Sequence, residues 1–256
     1  TQSLTQTVPL TLISSSTLSA LKTQYPSEPH LVAKFGKRNY SPRSETSILF
    51  SPDGNYLVIA EHTVKIVDVK NYQVAREFEI PYEGFDFPNM TIDSKSKFVA
   101  IVIFIHKEEK SHVLVWNMQT SELLYDWILQ PAIQSEATDT YLVHLNSIVF
   151  LPNSTKLAFG NGNTVEVRDI QENSEPMVFE LGENTFASQI SYPNDGRFLY
   201  VFMSWDKWHT FPALYKTIFV AQIWDMNTYK LRREIKFPEI KSTTEFMSLH
   251  NSYLLT

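Results

Sequence analysis

From about residue 47 onward the chain is a succession of short apolar runs separated by polar turns, and the same order of runs recurs. Ser47-Ile48-Leu49-Phe50 leads into Ser51-Pro52-Asp53-Gly54. Proline presets the backbone for a tight turn, and glycine supplies the positive φ that closes it. Tyr56-Leu57-Val58-Ile59-Ala60 then reads as a buried strand. After Glu61-His62, Thr63-Val64-Lys65-Ile66-Val67-Asp68 alternates apolar and polar positions. Lys70-Asn71-Tyr72 turns the chain, and Val74 to Ile80 alternates more regularly, as a strand with one face in water does.

Three further segments follow this order. The second runs from Phe85 to Leu129, with its turn at Ile92–Lys97, a buried strand at Phe98–Ile105, a third strand at Val113–Asn117 and an outer strand at Leu123–Leu129. The third takes in Ser147–Phe150, Leu151-Pro152-Asn153-Ser154, Leu157–Phe159, Thr164–Asp169 and Met177–Leu181. The fourth takes in Ala187–Ile190, Tyr192–Gly196, Phe198–Met203, Val220–Asp225 and Tyr229–Phe237. A fifth copy opens at Phe246-Met247-Ser248-Leu249 and reaches Tyr253-Leu254-Leu255. The spacing of roughly 40 to 60 residues matches a repeat of one four-stranded unit.

The residues that carry a family resemblance are repeat positions. Phe50-Ser51-Pro52-Asp53-Gly54-Asn55-Tyr56-Leu57 looks like the turn between first and second strands of WD40 repeats. Ile223-Trp224-Asp225 looks like the dipeptide that closes their third strand. Val115-Trp116-Asn117, Ile66-Val67-Asp68 and Val167-Arg168-Asp169 resemble weaker copies of it. The resemblance covers about Ser47 to Thr256. The family's Gly-His pair ahead of the first strand is missing from every copy, so its Asp-His-Ser/Thr-Trp network is not expected here. With only 7 glycines, the copies are divergent.

The resemblance implies an all-β fold: a β-propeller of four-stranded antiparallel blades at about 47–80, 85–129, 144–181 and 186–237, with a partial blade at 244–256. A blade cannot bury both faces alone, so blades stack about an axis. Two closures are open. A ring of about seven blades continuing beyond Thr256 is the favoured expectation. A five-blade ring closed by Leu31-Val32-Ala33-Lys34-Phe35 is the other. Residues 1–30 are expected to form an N-terminal extension outside this pattern, either with a short strand at Leu10–Ile13 and a short helix at Ser16–Tyr25 or as a linker or docking segment. Leu18, Leu21 and Lys22 have helical spacing there.

Composition narrows the chemistry. Aromatic residues make up 13% of the 256, which suits pleated, half-buried surfaces. The net charge of -6 supplies no basic stripe, so nucleic acid is not an expected partner. The absence of cysteine excludes disulfides, thiolate chemistry and Cys-ligated metals. No apolar run approaches the ~20 residues of a membrane helix. The compartment stays open, with the cytoplasm slightly favoured over secreted or periplasmic space.

No His-Glu-x-x-His, Gly-x-Ser-x-Gly, Walker or Gly-x-Gly-x-x-Gly pattern occurs, and no cofactor is expected. Gly160-Asn161-Gly162-Asn163 reads as a hairpin turn. The histidines are His30, His62, His106, His112, His144, His209 and His250. His106 and His112 flank the charged tip Lys107–Lys110. They could face one another across it as metal ligands; hairpin-end polar residues are the favoured reading, and no metal site is expected. Asp68, Asn117, Asp169 and Asp225 share one repeat position, where a structural bond to turn backbone is expected. Asn89-Met90-Thr91 and Asn153-Ser154-Thr155 are glycosylation patterns at what read as turns.

The fourth copy is irregular. Ser204 to Lys216 is inserted where the first copy has Glu61-His62 alone. Its Trp205, Trp208, His209, Phe211 and Tyr215 are the candidate partner-binding residues, because exposed aromatics on long loops are frequent hot spots. Folding onto a hydrophobic patch is the structural alternative for this insertion. Gln130–Tyr141 is a second long connection and reads as solvated loop. The expected function is a non-catalytic scaffold for other proteins, or a regulatory or sensor propeller domain of a larger protein. The alternative is a propeller enzyme or small-ligand binder using the central channel.

Overall fold

The structure, a computed structural model, describes residues 47–129, 147–172, 174–182, 185–193, 195–206, 217–237, 248–250 and 253–255, all within the compact unit Ser41–Thr256. The expected helix at Ser16–Tyr25, the strands at Leu10–Ile13 and Leu31–Phe35, and the Gln130–Tyr141 connection lie outside the described residues.

Each repeat is one four-stranded antiparallel sheet. The first holds β1 (Ser47–Phe50), β2 (Tyr56–Ala60), β3 (Thr63–Asp68) and β4 (Gln73–Glu79). The second holds β5 (Phe85–Ile92), β6 (Phe98–Ile105), β7 (Lys110–Asn117) and β8 (Leu123–Ile128). The third holds β9 (Ile148–Phe150), β10 (Lys156–Asn161), β11 (Thr164–Asp169) and β12 (Met177–Glu180). The fourth holds β13 (Phe186–Ser191), β14 (Phe198–Asp206), β15 (Thr217–Asp225) and β16 (Lys230–Lys236). In every sheet the strands lie in chain order. β17 (Ser248–His250) and β18 (Tyr253–Leu255) pair as a further hairpin.

The turns repeat down to single atoms. Asp68 Oδ1 accepts from the amides of Lys70 and Asn71, at 2.7 and 3.3 Å. Asn117 Oδ1 accepts from Gln119 and Thr120, at 2.8 and 3.3 Å. Asp225 Oδ1 accepts from Asn227 and Thr228, at 3.0 and 3.3 Å, and Asp169 Oδ1 accepts from the Gln171 amide at 3.0 Å. This shared position is therefore a turn cap. Four residues on, Tyr72, Ser121 and Tyr229 take φ of 58, 62 and 55°, each followed by a register shift that leaves one residue of the fourth strand, Ala75, Leu124 or Arg232, without an opposite.

Period-two alternation gives each inner sheet two apolar faces, which bury against different neighbours. Val58, Ile66 and Phe78 of the first sheet pack with Ile101, Leu114 and Trp116 of the second. The opposite face of the second sheet, with Ala100, Val102 and Val115, packs with Phe150, Leu157 and Phe159 of the third. Ala158, Val165 and Val167 on the other face of the third pack with Ala187, Leu199 and Val201 of the fourth.

The sheets approach one another at the first strand of the later sheet: β1 lies beside β5, β5 beside β9, and β13 beside β10 with β9 next to it. Toward the outer strands, large planar groups fill the seams. Phe78 meets Trp116 at 5.3 Å between ring centroids. The Arg168 guanidinium lies 5.0 Å from the Trp127 ring centroid, and Phe179 meets Trp224 at 5.0 Å. Phe78, Trp127 and Phe179 occupy one register position, opposite Val64, Val113 and Val165. Trp116, Arg168 and Trp224 occupy another, just before the turn cap. Arg168 replaces tryptophan by stacking its flat guanidinium on an aromatic face, held by Glu166 at 2.7 Å.

Two local expectations need correction. Asn89–Thr91 is not a turn: Asn89 lies in β5 in register with Val102, and the Thr91 hydroxyl, on a buried side chain, accepts the Phe150 amide at 3.2 Å. His112 is not an exposed hairpin-end residue. It stands opposite Ile103 within β7, on the same inward face as Leu114 and Trp116, and is buried.

Candidate functional site

The seam between the first and second sheets carries polar groups at both ends. At one end lie the turns β1–β2, β5–β6 and β7–β8. Ser51 Oγ donates to Asp53 Oδ1 at 2.6 Å, and the same carboxylate accepts the Asn55 amide at 3.1 Å and Asn55 Nδ2 at 3.0 Å. These bonds, that from Ser51 foremost, hold the Asp53 carboxyl at about 2, below the ordinary 3.8. Gly54, at φ 71°, closes the turn by donating its amide to the Ser51 carbonyl at 2.8 Å. The neighbouring turn is built on buried Asp93, which accepts the amides of Lys95, Lys97 and Phe98 at 3.1, 2.6 and 2.6 Å. The Ser96 hydroxyl crosses between the turns and accepts the Asp53 amide at 3.4 Å.

Between these turns opens a cleft of about 440 Å³, lined among others by Asp53, Tyr56, Ile66, Arg76, Lys95 and Met118. Arg76 reaches it because it shares the inward face of β4 with Phe78, in register with Ile66. Among the described residues, neither Arg76 nor Lys95 has an ion-pair or hydrogen-bond partner for its side chain. Asp53, whose oxygens accept from Ser51 and Asn55, makes no ion pair with either, and its one negative charge offsets only part of their two positive charges. The cleft thus presents two cations without ion-pair partners among the described residues, in a mostly polar lining with the Tyr56 ring at its edge.

The opposite end is closed. His112, with its side chain 2% exposed, places Nδ1 at 2.7 Å from Asp126 Oδ1 and Nε2 at 3.3 Å from Glu108 Oε2. The Tyr82 hydroxyl donates to the other Asp126 oxygen, and its ring lies 4.7 Å from the imidazole. Burial, followed by the bond to Asp126, pushes the Tyr82 hydroxyl well above the ordinary phenol range. Both ring nitrogens of His112 face protein oxygens and almost none of the ring meets solvent, so the group ties β7, β8 and the β6–β7 turn to the segment before β5.

Of the partner-binding residues expected from sequence, Trp205 alone falls among the described residues. Trp205 lies in β14 in register with Ile218, so the insertion begins as a longer hairpin. Trp208, His209, Phe211 and Tyr215 lie outside the described residues. His106 sits on the exposed β6–β7 turn, away from the His112 pairing position. Among the described residues, no group of three or more His, Asp or Glu is placed to hold a metal ion. No helix among them is long and apolar enough to cross a membrane.

Sequence reading missed Arg76 and His112, yet each carried a signal. Arg76 has the parity of Phe78 and Ile80, and His112 that of Leu114 and Trp116, so both are polar residues at inward positions of alternating strands. No protein-family model matches the chain, and no curated protein matches it.

Proposed function

We propose that the chain is a β-propeller-type module of the WD40 kind that binds other proteins and has no reaction of its own. The observation that carries this reading is the seam repeat: Phe78 on Trp116, Trp127 on Arg168 and Phe179 on Trp224. Sheets whose first strands touch while bulky planar groups fill the outer seams form wedges, and wedges laid side by side fan about an axis. Ile48 and Phe50, 55% and 66% exposed, are in register with Ile59 and Leu57 on the face turned from the second sheet. In the propeller reading a further sheet covers that face. The result is a rigid body with turns on two rims, a surface suited to holding partners.

Electron cryomicroscopy of the full-length protein tests the architecture: a closed ring is expected, and an open stack or a sandwich overturns it. For the role, a partner captured from the source cells and then purified is expected to form a saturable complex with the chain. Deleting 205–215 shows whether the fourth-sheet hairpin takes part. Turnover of a substrate by the isolated chain, with no saturable protein partner, overturns the role.

A further inference from the structure

We infer that the cleft between the first two sheets binds a carboxylate side chain presented by an acidic, partly apolar peptide segment of a partner protein. The inference rests on the interaction-module reading and gives it an address and a chemistry. The cations come first. Arg76 and Lys95 reach the cleft from an inward strand position and from a turn, and with Asp53 ionised at the same rim the three side chains leave a net positive charge. In a chain of net charge -6 such a spot selects locally for negative charge.

Two features favour carboxylate over phosphate. Phosphate sites commonly use a nest of backbone amides. Here the amides of Lys95, Lys97 and Phe98 are already bound by Asp93, and that of Ser96 by the Asp93 carbonyl at 2.9 Å. What remains for a ligand is the guanidinium fork, which fits a planar carboxylate, and a single ammonium. Asp53 also stays ionised at the rim, so a monoanion is repelled less than a dianion. The half-buried Tyr56 ring gives the neighbouring ligand residue an apolar contact at the edge of the cleft.

The test displays random heptapeptides to the whole 256-residue chain, then titrates the enriched peptides by calorimetry. Enrichment of Asp or Glu next to Leu, Ile or Met is expected. Arg76→Ala and Lys95→Glu should each weaken binding by roughly tenfold or more, the scale of one charge-assisted bond. Arg76→Lys, which keeps charge but not the fork, should weaken it less. Raising salt from about 0.05 to 0.5 M should also weaken it. Unfolding midpoints of the variants should stay near that of the parent, with exposed Lys95 the safer position. Peptides without acidic preference, or acidic peptides indifferent to both substitutions, overturn the inference. Glutarate binding as tightly as the peptides overturns the peptide source, and inorganic phosphate displacing them better than glutarate overturns the carboxylate class. A natural partner that binds Arg76→Ala and Lys95→Glu variants unchanged removes the cleft while leaving the interaction module standing.

Discussion

The two ends of the first seam share a hydrophobic middle but treat polar groups in opposite ways. At the closed end, His112, Asp126, Glu108 and Tyr82 satisfy one another, and the imidazole is sealed from solvent. At the open end, Asp53 and Asp93 bond within their own turns, and Arg76 and Lys95 have no side-chain partner among the described residues. A buried polar group whose bonds are all made belongs to the framework, because breaking it strands its partners. A cation whose bonds are unmade contributes little to the framework and is free to meet a ligand. Charge alone does not separate the two cases; the inventory of partners does.

The sharpest way to break this comparison is His112→Ala. It removes a buried ring and two bonds, and is expected to lower unfolding stability by about 2–4 kcal/mol in urea titration. A loss near zero would place His112 outside the framework.

Acid comes next. Because the folded Asp53 carboxyl titrates at about 2 rather than 3.8, its contribution is complete above 3.8 and disappears as pH falls through about 2. The carboxyl carbon signal of Asp53 should show its midpoint near 2 in NMR titration. Ser51→Ala, which removes the largest cause, should move that midpoint up toward 3.8.

Arg76→Ala is expected to change stability by less than about 1 kcal/mol, since no partner is stranded. A loss as large as that of His112→Ala would make the two ends alike. Smallest of all is Tyr192→Phe at the seam of the third and fourth sheets. The Tyr192 hydroxyl is buried without a partner among the described residues, and burial pushes it well above the ordinary phenol range. Its removal should be neutral or stabilising by up to about 1 kcal/mol in the same urea titration.

Much of the local structure was legible because it is written in neighbouring residues. Ser51-Pro52-Asp53-Gly54 encodes its own turn, and Asp68, Asn117, Asp169 and Asp225 cap theirs within three residues. The buried strand Phe98–Ile105 announced itself by continuous hydrophobicity. The glycosylation pattern at Asn89 misled, because the β5 strand continues through a register shift at Asp86–Asn89 that alternation does not reveal. His112 misled because nearness to a charged hairpin tip outweighed its parity with Leu114 and Trp116. Arg168 looked like a poor copy of a tryptophan, yet fills the same place by stacking on Trp127.

The order of runs and turns was enough to determine four four-stranded antiparallel sheets and the caps between their strands, since hydrogen-bonded hairpins and Asx turns depend on residues close in the chain. Tertiary structure decided which faces meet, and with them the fate of each inward polar residue. Tyr82 finds Asp126 across 44 residues, and Ser96 meets Asp53 across 43. Whether a cation is matched or left open depends on what the facing sheet brings within about 4 Å. No stretch of sequence around that cation carries this information.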